Sequence, residues 1–82
     1  MPRFYFHLCD GTGFVEDEEG RELADPEAAR VLAIRAARDV MAGEMRSGVL
    51  DLSSFIEVED ETRSLLFTVG FEEAVRVRKD RS

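Results

Sequence analysis

Apolar and polar residues alternate from Arg3 to Cys9, with Phe4, Phe6 and Leu8 on one side and Arg3, Tyr5, His7 and Cys9 on the other. That period of two predicts a strand, and the aromatic side chains favour a sheet. Asp10-Gly11-Thr12-Gly13 follows, made of residues that accept the backbone angles of a tight hairpin. A second strand is therefore expected from Phe14 through Glu16. The chain turns irregular through Asp17-Glu18-Glu19-Gly20, and Leu23 returns to the core. Asp25-Pro26-Glu27 is a helix start: an acceptor for free N–H groups, a residue with no N–H to leave unpaired, and a carboxylate at the positive end of the dipole. At about 100° per residue, Ala29, Leu32, Ala33, Ala36, Ala37 and Val40 share the face assigned to the sheet. The helix is expected to end near Arg46, before Ser47-Gly48, with Val49 and Leu50 plugging the bottom of the core.

A second hairpin closes the pattern. Phe55 to Glu59 places Ile56 and Val58 on one face; Asp60 to Arg63 makes the turn; Ser64 to Phe71 returns with Leu65, Phe67, Val69 and Phe71 as its apolar series. Glu72-Glu73-Ala74-Val75 fits either a helical turn or an extension of the strand. The predicted fold is α+β in the order β-β-α-β-β: a four-stranded, mainly antiparallel sheet with one long helix packed on one face. Residues 1–75 form the single domain. Residues 76–82 form a basic, flexible tail, in which Arg76, Arg78, Lys79 and Arg81 outweigh Asp80.

One helix covers one face of a sheet, so the other must be polar or covered by something else. Tyr5, His7, Cys9 and Phe55 fall on that second face, and Ile34, Met41 and Met45 form a minor apolar stripe on the helix, away from the sheet. Clustered leftover apolar residues in so small a domain mark a contact surface. Tyr5, His7, Phe55, Ile34, Met41 and Met45 are the candidate interface, and a homodimer is the expected assembly. The alternative is that loops and the C-terminal segment fold back over these residues.

Composition narrows the function. Eighty-two residues, 44% apolar and 35% charged, make one small globular domain that gains from a partner surface. Eleven basic against eighteen acidic side chains leave a net charge of −7, which opposes general binding to nucleic acid or anionic lipid. A single cysteine excludes an internal disulfide and fits a reducing, cytoplasmic setting. No leader-like start and no apolar run of membrane-spanning length is present, so no membrane association is expected.

The chemistry-bearing residues are few. Cys9 and His7 share a strand face, but neighbours two apart stand parallel, which is poor geometry for proton transfer. The acidic run Glu16-Asp17-Glu18-Glu19 fails calcium-loop spacing. Asp10-Gly11-Thr12-Gly13 lacks the lysine and following helix of a phosphate loop. The basic tail lacks aromatic stacking partners for nucleic acid. No catalytic residue, metal or cofactor is expected, and the chain reads as a non-enzymatic protein-interaction module. The other reading is an antitoxin-like inhibitor whose acidic loop, Glu16, Asp17, Glu18 and Glu19, occupies a basic site on a partner protein.

The opening Met1-Pro2-Arg3-Phe4-Tyr5-Phe6-His7-Leu8 with Asp10-Gly11 is followed by Asp17-Glu18-Glu19-Gly20, Glu22-Leu23 and Asp25 with Glu27-Ala28-Ala29. Further along come Asp51-Leu52-Ser53, Ile56-Glu57-Val58 and Phe71 with Glu73-Ala74-Val75. In these segments the chain resembles a family of short, uncharacterised bacterial proteins, found especially among alphaproteobacteria, that form a domain of unknown function. The resemblance spans nearly the whole chain and implies no catalytic residue. Asp10-Gly11 and the run from Asp25 to Ala29 are also similar to the HicB-type antitoxin domain, without the adjoining helix-turn-helix or ribbon-helix-helix that would bind an operator. That likeness implies an interaction module.

Overall fold

A computed structural model of the chain describes residues 1–79. Strand β1 spans Arg3–Asp10, β2 Gly13–Val15 and β3 Arg21–Glu22; helix α1 spans Pro26–Arg46; strands β4 and β5 span Phe55–Glu59 and Leu65–Gly70; a short turn of helix, α2, spans Phe71–Ala74. All strand pairs are antiparallel, in the order β2-β1-β4-β5, with β3 also on β1. The architecture is α+β with a β-β-α-β-β order, as the alternation predicts. No helix among the described residues is long and apolar enough to cross a membrane.

Helix α1 begins where its capping chemistry places it. Asp25 is extended and its carboxylate accepts the Ala28 N–H at 2.8 Å, with Pro26 in the first turn. Ser47 caps the far end, and Gly48 follows at a φ of +89°. The buried row is Ala29, Ala33, Ala37 and Met41, a four-residue spacing that drifts around the helix as it crosses the sheet, while Leu32, Ala36 and Val40 are only half-buried. Three alanines let the helix approach Ile56, Val58 and Val69 closely. Met41 therefore belongs to the core, not to the outer stripe expected for it, and Ile34 also packs against the core. The cause is α2, which packs on the same side of α1: the Arg38 Nε donates to the Ala74 carbonyl at 2.7 Å, and Arg30 reaches Glu73 at 4.0 Å. Of the predicted stripe only Met45 is exposed, at 64%.

Three further departures follow from long-range pairing. A bulge between Val58 and Glu59 sets Leu65 opposite Glu59, so Leu65 leaves the apolar series for the outer face and is exposed. Val49 and Leu50 are exposed, and Leu52 closes that end of the core instead. Phe71 starts α2 and is fully buried, a burial of about 1.5–3 kcal/mol by apolar area alone. Residues 76–79 form neither helix nor strand; Asp80 and Arg81, part of the expected basic tail, lie outside the described residues.

Candidate functional site

The outer sheet face carries the titratable side chains. Cross-strand register sets Tyr5 opposite Glu59, His7 opposite Glu57 and Cys9 opposite both Phe55 and Phe14. These six positions and His7 share one face because side chains alternate along each strand. Residues 14–20 run along the β1 edge of that face, and the Phe14 ring and the Asp17 backbone close on His7. His7 is thereby buried, at 2% exposure, with the Phe14 ring 5.5 Å from its imidazole.

His7 is fully engaged. Its Nδ1 accepts the Asp17 N–H at 3.0 Å, which makes Nε2 the donor to Glu59 Oε1 at 2.9 Å. The Asp17 carboxylate in turn accepts the Phe6 N–H and the Gly20 N–H, both at 3.0 Å. Between β2 and β3 the second segment runs two residues longer than β1, and Asp17 fills that interruption by satisfying the β1 backbone itself. Gly20 makes the return at a φ of +71°. A Cβ there would lie 2.8 Å from the Phe4 carbonyl oxygen and from the Tyr5 ring, so only glycine fits. Arg63 closes the other side: its guanidinium stacks 3.7 Å from the Tyr5 ring centroid and approaches Glu59 at 3.7 Å and Glu16 at 3.8 Å.

This network orders the face and engages both ring nitrogens of His7. His7, expected at a contact surface, is inside the fold, because the segment that the sequence left irregular closes on it. Cys9 is not coupled to His7. Its thiol is pushed up by burial and then by the Glu57 carboxylate beside it, which disfavours the nucleophilic thiolate. Tyr5 is half-buried under Arg63, and Phe55 stays at the surface with 36% exposure. Within the acidic loop, Asp17 is spent on the backbone, whereas Glu16, Glu18 and Glu19 are exposed. Met45, Ile34 and Met41 lie on the helix across the sheet from Tyr5 and Phe55, so the six candidate residues form no single surface.

A recurring spacing lies outside the hydrophobic pattern. Asp10, Asp51 and Asp60 each stand two residues before a hydroxyl, and each Oδ1 accepts both the N–H and the Oγ of that residue: Thr12, Ser53 and Thr62, at 2.6 to 2.9 Å. The hydroxyl bond, followed by backbone N–H bonds, holds each carboxyl below its usual range. The Asp-x-Ser/Thr pattern signals such turns. No group of three or more His, Cys, Asp and Glu side chains among the described residues converges on a metal position.

Two concave places remain. A groove of about 520 Å³ runs between α1 and the β1–β3 end of the sheet, where Arg21 and Arg35 flank Asp17 and Asp39 over Phe6 and Leu32. A hollow of about 540 Å³ lies at the end of β5 and includes Leu52, Phe55, Thr68, Gly70 and Glu72.

A family model, a domain of unknown function (DUF6894), matches residues 3–72, and the chain belongs to that family. No curated protein and no solved structure matches it.

Proposed function

We propose that the protein is a small, non-enzymatic interaction module of the bacterial cytoplasm that self-associates as a homodimer and binds a protein partner. The observation that carries this reading is the apolar surface left on one side of the fold. Phe55, Leu65 and Leu66 are all exposed on the outer face, Phe55 beside Gly70 at one end of the β4–β5 pair and the two leucines at the other, while the one histidine is locked between Asp17 and Glu59. The acidic balance argues against nucleic acid as the partner. Light scattering on the full chain, coupled to size exclusion, tests the assembly: the expected mass is that of two chains at micromolar concentration, and one chain throughout refutes it.

A second reading, antitoxin-like inhibition by the acidic loop, is favoured by its rigidity. Asp17 pins the loop from within while Glu18 and Glu19 project into solvent, and Glu16 is also exposed. Reversing Glu16, Glu18 and Glu19 to lysine, with Asp17 kept, removes binding to a basic partner on this reading; unchanged capture of the partner refutes it.

A further inference from the structure

The two edges of the sheet are built differently. The β1 edge is covered by two short strands with the Asp17 loop between them. The β5 edge is a six-residue run, Leu65-Leu66-Phe67-Thr68-Val69-Gly70, with no charge and no proline to deter another strand. The Phe71 N–H donates to the Ser54 carbonyl at 2.9 Å, which sets the phase of the β4–β5 ladder. Residues 67, 69 and 71 turn their backbone groups toward β4, so the N–H and C=O of Thr68 and the N–H of Gly70 point away from the sheet.

Beside that edge lies a seat. Gly70 has an ordinary φ of −76°, and a Cβ built on it meets nothing within 4 Å. It opens on the hollow of about 540 Å³ next to Leu52 and Phe55. Leu66 lies on the same outer face as Thr68 and Gly70 and is 40% exposed; the bulge brings Leu65 to that face as well. Edge and seat are therefore complementary to a second copy of the strand that carries them.

We infer that two copies of the chain join by antiparallel pairing of their β5 strands about a two-fold axis at Thr68, which names the surface for the self-association proposed above and rests on it. In this register the Thr68 residues exchange both backbone hydrogen bonds across the axis, and Leu66 of each copy comes opposite Gly70 of the other, at the hollow. Arg63 lies in the β4–β5 turn and Glu73 in α2, so the paired run ends before either and the register rests on the strand and its seat. Moving the axis to Phe67 would instead set Leu66 opposite Thr68 and leave the Gly70 seat empty.

Sedimentation equilibrium of the full chain, with Leu66→Lys and Gly70→Lys beside it, tests this surface. Leu66→Lys adds a charge to the edge. Gly70→Lys fills the seat at a position whose backbone angle and open space suit a side chain, so it decides the matter if Leu66→Lys misfolds. The expected result is a wild-type dimer that each variant weakens at least about tenfold with its circular dichroism spectrum unchanged. A wild-type dimer that neither variant weakens places the contact elsewhere and overturns this surface while self-association stands. A chain that stays monomeric into the high-micromolar range overturns both.

Discussion

Replacing Asp17 with alanine removes the side chain that ties residues 16–20 to β1, and the cost follows from its bonds. Its carboxylate accepts two backbone N–H groups at 3.0 Å, from Phe6 and Gly20. Hydrogen bonds to a charged group contribute about 1.5–3 kcal/mol each, and half-burial puts these at the low end, so Asp17→Ala should cost about 3 kcal/mol. The Phe6 N–H would be left without a partner on the β1 edge, and the Asp17 N–H bond that fixes His7 would loosen with the loop. For a domain of this size each kcal/mol lowers the midpoint by about 4–8 °C, so a fall of at least ~12 °C is expected in thermal unfolding. Asp17→Asn keeps one acceptor and should fall between. Glu18→Ala, at an exposed neighbouring carboxylate, should stay within about 0.5 kcal/mol of the parent. An Asp17→Ala variant as stable as Glu18→Ala would refute the assignment of Asp17 to the backbone.

The three Asp-x-Ser/Thr turns predict an acid dependence. Asp10, Asp51 and Asp60 are held below their usual range when folded, so their contribution is present above the unfolded value of about 3.9 and is lost as pH falls through the lower native values. Urea midpoints should drop over that acid window and flatten in the triple Asp→Asn variant; an equally steep triple variant contradicts this. Cys9, its thiol raised by burial and by Glu57, should alkylate at neutral pH more slowly than a free peptide cysteine and faster in Glu57→Gln. A thiol as reactive as the free peptide contradicts the burial. Gly20→Ala should cost about 2 kcal/mol or more, from a φ of +71° and a contact at 2.8 Å, whereas Gly43→Ala, in open space within α1, should gain about 0.5–1 kcal/mol by chemical denaturation. Equal effects at the two glycines would undo the argument for the tight return at Gly20.

What was legible in the sequence is local. Asp25-Pro26 and Ser47-Gly48 bound α1 because caps act within a turn, and alternation from Arg3 to Cys9 and from Phe55 to Glu59 marks β1 and β4 because a half-buried strand must alternate. What escaped depends on distant partners. Two residues, Arg21 and Glu22, carry no strand pattern and pair with β1 because the Asp17 loop delivers them there. Met41 looked like a surface residue on a straight helical face; an oblique stripe and the packing of α2 on that side bury it. His7 looked like a contact residue because its burial comes from residues 14–20, whose sequence is acidic and irregular. The β5 seat was invisible for the same reason, since an exposed Leu65 and a vacant Gly70 arise from a bulge that no local spacing announces.

Amide exchange reads directly whether the β5 edge is a contact between copies. The Thr68 N–H points away from β4, so a monomer exchanges it quickly although Val69 beside it is buried and paired. In the paired dimer the same proton is bonded across the axis. Residue-resolved hydrogen exchange on the full chain, repeated over a range of protein concentrations, should show Thr68 protection rising with concentration in step with dimer formation, and no such rise in Gly70→Lys. A Thr68 amide that exchanges at the same fast rate at every concentration would contradict it.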